Sequence, residues 1–358
     1  MAQTSRKIRL SDLKSFCRQA LVKAGMTEEF ARITAEVLSE TDAYGTHSHG
    51  TVNLGGYIKK AKVGGLDITA EPVVVKEGPA FAIMDAQYSM GMVPSYKAME
   101  MACEKAKKTG IALVTVKNST HFGAAGYYAN MAARCGMLGL SMSNVDPNMT
   151  APGARGMVIG NNPVSYAAPA SITPTISLDI ALSNVASLKV VKARKEGKAI
   201  PETWVVDKDG LPTTDPSHYP EEGAVQPMAA HKGYGLAVMV ELMTGALSGG
   251  GMSPVGEIVS WLFEPEEKNN VSHTFIAIDI DQFVGKEAFI ERADAMAEAL
   301  RSAPKAKGSD RIYTPGEIEW NNHQKAQYGL ELPPNVVDSL ETLGSEMGIE
   351  INWMKAEA

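Results

Sequence analysis

The first 70 residues are patterned as helices. Residues 10–24 and 28–40 each repeat apolar side chains at helical spacing, with Gly25 between them as a stop signal and Thr27 at the start of the second run. A third helix is predicted near residues 52–62, ending at Gly64-Gly65. The pattern therefore predicts an N-terminal helical segment over residues 1–70.

From about residue 70 the pattern changes to short apolar runs that alternate with helices. Strands are predicted at 80–84, 111–116, 138–143, 176–178 and 275–280, and helices near 91–109, 123–135, 232–248 and 286–302. Such alternation is typical of an α/β fold with a central sheet. We predict this α/β core over residues 71–330, with an ordered loop over the proline- and aspartate-rich stretch 201–219. Residues 331–358 are predicted to form a peripheral helical tail packing on the core.

Composition and charge narrow the function class. The 358 residues carry 41 acidic and 34 basic side chains, a formal charge of -7, without a dense basic block, which argues against a nucleic-acid surface. The three cysteines show no metal-ligand spacing, so neither a metal site nor a disulfide framework is expected. They indicate a reducing, cytoplasmic location. No apolar run resembles a signal peptide or a membrane helix.

The glycine fingerprint of a Rossmann dehydrogenase is missing. That motif needs GxGxxG between a strand and a helix, with an acidic residue about 20 positions later. The glycine-rich stretches at 153–156 and 249–251 have neither the spacing nor the following helix. Any nicotinamide cofactor must therefore be held in another way, and a P-loop is absent too.

Two histidine-containing segments are the first candidates for chemistry. Ser48 and His49 follow a helix, and a histidine titrates near neutrality while a neighbouring hydroxyl orients or relays its proton. A polar helix C-cap explains the same residues equally well. The second segment opens a helix after the 111–116 strand, where ligands tend to sit in α/β sheets, although a tight strand–helix turn is the simpler explanation. It comprises His121, Phe122, Gly123, Ala124 and Ala125.

Three further groupings carry weaker signals. Asp179, followed by Ile180 and Ala181, lies in an apolar strand and needs a partner, either backbone amides or a histidine. The run His231-Lys232 opens a helix that is suited to a phosphate, and Gly316-Glu317 belongs to a turn that would close over a ligand. The isolated histidines, by contrast, are interpreted as surface residues: His218, His273 and His323.

Taken in order, these segments resemble the malate/L-lactate dehydrogenase type 2 family, which includes ureidoglycolate, sulfolactate and diketogulonate enzymes. The resemblance covers about residues 8–330 and rests on eight segments in the family's order. They are DAYGTHSHG, YI…GG, GIALVTVKNSTHFGAAGYYA, MTAPG…GNNP, SLDIALS, IPETWVVDKDGLPTTDP, HKGYGLAVMVELMTGALSG and YTPGE. It implies a non-Rossmann α/β fold with a mixed, largely antiparallel sheet, a homodimer, and NAD or NADP between lobes. NAD is favoured because no basic pocket for a 2'-phosphate is evident.

The resemblance also implies residue roles. His49 would exchange a proton with the substrate oxygen, assisted by Ser48, while His121 is the alternative acid/base and would lie at both nicotinamide and substrate. Asp179 joins this catalytic set and the cofactor lining. That lining also takes in the 121–125 segment, Ser143, Asn144, Ile180, Ala181, His231, Lys232, Gly316 and Glu317.

The chain departs from the family pattern where the substrate should bind. The arginine usual four residues after the SHG histidine is Asn53 here, which lacks a charged bidentate fork for a carboxylate. Tyr57, one helical turn on, and Lys189 are the other candidate substrate contacts. Two further departures are Leu182, in place of a threonine, and Leu188, in place of a glycine.

The resulting prediction is an enzyme that transfers hydride between NAD(P)(H) and a small 2-hydroxy or 2-oxo acid. An NADPH-dependent reductase of a cyclic imino acid, such as piperideine-2-carboxylate, is the alternative. Lys189 argues against it, since that branch tends to carry an aspartate there. A non-catalytic ligand-binding relative is the second alternative.

Overall fold

The computed structural model describes residues 5–355. The predicted helices occur in the predicted order, and two further helices, over residues 187–195 and 317–326, lie outside the predicted ones. The helices are α1 (Leu10–Lys23), α2 (Glu28–Ala43), α3 (Leu54–Lys62), α4 (Met92–Thr109), α5 (Ala125–Arg134), α6 (Ser187–Lys195), α7 (His231–Glu241), α8 (Lys286–Ser302), α9 (Glu317–Ala326) and α10 (Pro334–Met347).

The strands form one large sheet and two small ones. They are β1 (Arg6–Ile8), β2 (Val73–Gly78), β3 (Phe81–Asp85), β4 (Ile111–Ser119), β5 (Met137–Ser143), β6 (Val164–Pro169), β7 (Thr175–Ile180), β8 (Val205–Val206), β9 (Pro212–Thr213), β10 (Ala224–Val225), β11 (Val271–Asp279) and β12 (Leu330–Leu332). The large sheet has the order β2-β3-β4-β11-β5-β6-β7, and its pairs are antiparallel except β3–β4, which α4 connects. The expected mixed, largely antiparallel α/β fold is thus confirmed.

Local signals set the N-terminal helices. Gly25, at a φ of +104°, takes the chain out of α1 in a conformation that L side chains rarely adopt. The Thr27 hydroxyl then accepts the Phe30 amide hydrogen and caps α2. After α2 the chain makes two short 3-10 turns, His47–His49 and Thr51–Asn53, before α3 begins. This segment carries the first candidate histidine.

The main hydrophobic cluster joins both ends of the chain to the sheet. It contains side chains from α1, α2, α4, β4 and β11, together with Val336, Leu340 and Leu343 of α10. The C-terminal helix is therefore not peripheral, and β12 pairs antiparallel with β1 next to it. A division of the chain at residues 70 and 330 stays a prediction.

A second cluster packs under α7. It joins Val240 to the small sheet of β8, β9 and β10, which occupies part of the stretch predicted as a loop. After Glu241 the helix continues as a π-turn over Leu242–Ala246. Within residues 5–355, no helix is long and apolar enough to cross a membrane.

Candidate active site

A buried carboxylate shapes the turn that carries His49. Asp42, in the last turn of α2, is fully buried and accepts hydrogen bonds from the Thr51 amide (2.8 Å), the Thr51 hydroxyl (2.6 Å) and Nδ1 of His47 (2.8 Å). A β-carbon on Gly50 would lie 2.4 Å from its Oδ1, so only glycine fits there. Asp42 therefore clamps the turn from both sides of His49.

The turn places His49 against His121, which follows strand β4. The two rings stack with centroids 5.6 Å apart, and the Ser48 hydroxyl lies 2.8 Å from Nδ1 of His49. Burial lowers the pKa of both imidazoles, and for His121 the electrostatic effects of His49 and His273 lower it further. Both rings are consequently neutral near pH 7, the form in which an imidazole accepts a proton.

The hydrogen bonds of His121 fix its tautomer. Its Nδ1 lies 2.6 Å from the Tyr57 hydroxyl and accepts the Gly123 amide hydrogen at 3.3 Å. Burial raises the pKa of Tyr57 strongly, so the phenol keeps its proton and donates it. Because Nδ1 is an acceptor in both contacts, the neutral ring carries its hydrogen on Nε2. His121 thus offers an N–H donor on its free edge.

Trp261 completes an aromatic stack that the sequence did not reveal. Its ring centroid lies 4.9 Å from that of His121 and 5.2 Å from that of Tyr57, at interplanar angles of 27° and 21°. His121 is therefore enclosed by an imidazole, a phenol and an indole from three separate segments. A tryptophan in a patternless loop carries no sequence signal for such a role.

Asn53 holds the turn itself. Its amide nitrogen donates to the Ser48 carbonyl oxygen at 2.9 Å, which closes the segment around His49. The side chain that replaces the usual arginine is thus already engaged with backbone, and Tyr57, one helical turn on, is engaged with His121. Lys189 lies exposed in the first turn of α6.

Asp179 meets the start of α5. Of the two partners expected, a backbone amide is the one found, because its Oδ2 accepts the Gly126 amide hydrogen at 2.8 Å. A β-carbon at Gly126 would lie 2.7 Å from that oxygen. The carboxylate is reached by solvent but crowded by protein, and this desolvation raises its pKa to about 6 against the lowering effect of the amide, with Glu319 adding to the rise. Ile180 ends β7, Ala181 follows it, and both are half-buried.

Ser143 and Asn144 lie inside the protein, bonded to other residues. The Asn144 amide donates to the buried Glu241 carboxylate and to the Gly251 carbonyl, while the Ser143 hydroxyl donates to the Asn144 carbonyl. Ser143 also bonds His273, which is fully buried in β11. The interpretation of His273 as a surface residue was therefore wrong.

His273 is held on both nitrogens. Nδ1 lies 2.9 Å from Ser143 Oγ and Nε2 lies 2.9 Å from Ser119 Oγ, and the ring stacks on Phe122 at 4.5 Å and 4°. Burial lowers its pKa to about 3, so the ring is neutral. The sequence around His273 did not indicate its buried role, because its serine partners lie on two other strands. Of the other two histidines, His218 keeps a partly exposed place, whereas His323 stacks between Tyr44 and Trp320.

The remaining predicted cofactor residues fall into two groups. Phe122, Gly123, Ala124 and Ala125 are buried as the chain enters α5. His231 and Lys232 are exposed at the start of α7, directly after Ala229 and Ala230, whose φ values of +48° and +53° are unusual for alanine. Gly316 packs tightly on Ser177 of β7, and the buried Glu317 carboxylate binds Arg301 and Arg311.

Comparison with known proteins identifies the family. The family model described as malate/L-lactate dehydrogenase matches residues 8–341. L-sulfolactate dehydrogenase of Methanocaldococcus jannaschii is 37% identical over 338 residues, covering 94% of this chain and 96% of the relative. Ureidoglycolate dehydrogenase (NAD(+)) of Escherichia coli is 33% identical, covering 93% and 95%. (2R)-3-sulfolactate dehydrogenase (NADP(+)) of Chromohalobacter salexigens is 32% identical, covering 94% and 97%.

Solved structures agree with this result. Sulfolactate dehydrogenase from Methanocaldococcus jannaschii superimposes with a TM-score of 0.88 at 35% identity, covering 96% of this chain and 98% of that one. Malate dehydrogenase from Entamoeba histolytica gives a TM-score of 0.90 at 30% identity, covering 97% and 99%. The chain therefore belongs to the malate/L-lactate dehydrogenase family of NAD(P)-dependent oxidoreductases that act on small 2-hydroxy acids.

Proposed function

We propose that this chain interconverts a small 2-hydroxy acid and its 2-oxo acid, with His49 exchanging the proton of the substrate oxygen. The observation that carries the proposal is the pairing of two neutral, partly buried imidazoles 5.6 Å apart, one of them bonded to a serine hydroxyl. In the oxidative direction His49 takes the hydroxyl proton, and in reduction it returns a proton to the forming alkoxide. Ser48 keeps the ring oriented through Nδ1.

His121 assists at the same oxygen. Its Nε2–H, fixed by the two donors on Nδ1, is suited to donate a hydrogen bond to a carbonyl or alkoxide oxygen. An exchange of roles between His49 and His121 would require the other tautomer of His121, with its hydrogen on Nδ1 and its Nε2 free to accept the proton. Both histidines stay in the proposal, and their variants decide between them.

The proposed cofactor site lies where β7 meets α5 and where α7 begins. A nicotinamide dinucleotide supplies or accepts the hydride when it is bound. The Asp179 carboxylate already occupies the Gly126 amide at the start of α5, so an uncharged flat ring fits beside it better than a phosphate. The exposed His231 and Lys232 at the start of α7 are suited to a phosphate group. The cofactor set also includes Ser143 and Asn144 as buried supports, the 121–125 segment, Ile180, Ala181, Gly316 and Glu317.

We also propose which residues contact the substrate and which of the two cofactors is used. Asn53, Tyr57, His121 and Lys189 remain the proposed substrate contacts, with Asn53 acting chiefly through the turn it closes. NAD is proposed over NADP, and since relatives named for each cofactor occur, this choice needs measurement. A cytoplasmic location stays a prediction.

A homodimer is proposed from an apolar surface on α7 and its π-turn. Leu236, Met239, Leu242 and Leu247 are between 38% and 59% exposed and recur at helical spacing. Such a stripe is typical of a protein–protein contact. Sedimentation equilibrium would give the mass of two chains, and a Leu242→Glu variant would shift it towards one.

The test of the reaction is loss of NADH or NADPH absorbance with a panel of 2-oxo acids. The panel holds pyruvate, oxaloacetate, sulfopyruvate, 2-oxopantoate and oxalurate, with piperideine-2-carboxylate as the cyclic imine. A clear rate on an oxo acid, lost by about 10²-fold or more in His49→Ala, establishes the proposal. Near-normal turnover by His49→Ala with loss in His121→Ala transfers the proton role to His121. Activity on the imine alone, or on nothing, contradicts the proposed substrate class.

A further inference from the structure

Trp261 stands on a loop that is fastened on two sides. Lys60, on α3, is 1% exposed, and its ammonium donates to the carbonyl oxygens of Glu267 (2.5 Å) and Pro265 (3.2 Å). A β-carbon on Gly65 would lie 2.0 Å from the Pro265 oxygen, so the end of the α3 segment and the loop touch directly. Burying an ammonium group costs free energy unless hydrogen bonds compensate for the lost water. Here the two carbonyl oxygens of the loop supply those bonds, so Lys60 fastens the loop to α3.

The other side of the loop faces the segment after β5. Burial raises the pKa of the Asp146 carboxyl group, and the Ser260 side chain next to Trp261 partly offsets this rise. The Asn269 side chain donates to the Val259 carbonyl at 2.9 Å and closes the loop at its base. The loop that carries Trp261 is therefore fastened to α3 by Lys60 and closed at its base by Asn269.

The indole of Trp261 contacts two residues of the candidate active site. It stacks on His121 at 4.9 Å and on Tyr57 at 5.2 Å, and a β-carbon on Gly56 would lie only 3.6 Å from its ring. The titratable groups facing His121 are Tyr57 from α3, His49 from the 3-10 turn and His273 from β11. Among the rings in contact with His121, the indole of Trp261 is the one that does not titrate.

We propose that Trp261 is a positioning and specificity residue. It keeps the His121 ring dry and in register with Tyr57, and its indole limits the space for the substrate's side chain. The specificity part rests on the proposed function, because a substrate oxygen within reach of His49 and His121 puts the neighbouring substituent near the stacked rings. The positioning part concerns the free protein and needs no substrate.

The first experiment is an NMR titration of the histidine rings, with the His121 signal assigned by its loss in His121→Gln. In the wild type the pKa of His121 is well below 6.5 because the ring is buried. Trp261→Ala admits water, so this pKa should rise towards the ordinary value, whereas Trp261→Phe keeps a stacked ring and should move it less. Trp353→Ala, which removes an indole that packs on Arg6 at the far end of the chain, is the matched control and should leave it unchanged.

The second experiment measures kcat/KM along the series pyruvate, 2-oxobutyrate and 2-oxopentanoate. Trp261→Ala should raise the ratio for the longest acid against pyruvate by about tenfold or more, the usual discrimination per methylene in a packed pocket. Lys60→Met, which removes the two carbonyl contacts, should shift the ratio in the same direction by less. Trp353→Ala should keep the wild-type ratio.

The outcomes separate the two claims. An unchanged His121 titration in a folded Trp261→Ala protein overturns the positioning role, and an unchanged side-chain preference overturns the specificity role. A wild type that turns over no member of the series contradicts the proposed function, while the titration still decides the positioning role. If Trp261→Ala does not fold, Trp261→Phe and Lys60→Met carry the same comparisons.

Discussion

Asp42 ties the turn around His49 to α2, and its removal has an effect that can be worked out from the structure. Asp42→Ala leaves two fully buried donors of Thr51, its amide and its hydroxyl, without an acceptor. Each such donor costs about 1–3 kcal/mol, so we expect the free energy of unfolding to fall by about 2–6 kcal/mol. His47 loses its Nδ1 partner as well.

The same protein offers a matched control. Asp67 also accepts three hydrogen bonds, from the Thr69 amide, the Thr69 hydroxyl and the Ala70 amide, but it lies exposed. Water replaces the lost acceptor there, so Asp67→Ala should lower the free energy of unfolding by only about 0.5–1 kcal/mol. The two variants differ in burial and hardly in the number of bonds removed.

The assay combines urea unfolding with turnover. Because the His47–Asn53 turn shifts when its clamp is lost, kcat of Asp42→Ala should fall by about 10²-fold, while Asp67→Ala keeps wild-type kcat. Asp42→Asn, which retains one acceptor oxygen, should lie between. Equal losses of stability in the Asp42 and Asp67 variants would refute the reasoning, since burial would then not decide the cost of an unpaired donor.

Three further predictions concern single contacts. Burial raises the pKa of Glu40, but its bonds with His323 and Lys14 outweigh this effect and lower the pKa to about 2. The ionised carboxylate therefore contributes stability on the order of 3 kcal/mol, which is present above pH 4.5 and is lost as pH falls towards 2. Glu40→Gln should flatten this part of the plot of urea midpoint against pH. His273→Phe keeps the stack on Phe122 but leaves the Ser119 and Ser143 contacts unmade, and chemical denaturation should show a loss of about 2–4 kcal/mol, whereas Ser89→Ala, which removes a buried hydroxyl without a partner, should be neutral. Gly126→Ala places a methyl group 2.7 Å from the Asp179 carboxylate and should lower the thermal midpoint. Gly235→Ala, with nothing within 4 Å, should raise the midpoint, because it should increase the free energy of unfolding by about 0.5–1 kcal/mol.

Most of the helices and strands could be predicted from local sequence patterns, because the helical and strand periods depend on residues close together in the chain. The predicted helices at 91–109 and 286–302 correspond to α4 and α8 within a residue or two. In the C-terminal segment only the amphipathic period is visible in the sequence, whereas the depth of its burial depends on α1 and α3, more than 270 residues earlier in the chain. The antiparallel order of the sheet came from the family resemblance rather than from any periodicity.

The candidate site was predictable only where a residue type itself suggests chemistry. Ser48, His49, His121 and Asp179 stood out in this way, and the structure brings the two histidines together. Trp261 and the buried carboxylates Asp42 and Glu241 did not, because their importance lies in contacts between distant segments. Glu241 shows this well: it receives Asn144 and Asn162, which lie 97 and 79 residues away along the chain.

The pairing of β1 with β12 has a consequence for the order of events during synthesis. Residues 6–8 pair with residues 330–332, which are synthesised much later, and α10 completes the same cluster. The apolar faces of α1 and α2 that pack on these later segments therefore stay exposed until the later segments have been translated. Contacts of such long sequence separation slow folding and prolong exposure to aggregation. A nascent chain of this protein is thus expected to need chaperone protection for its earliest helices rather than its last ones.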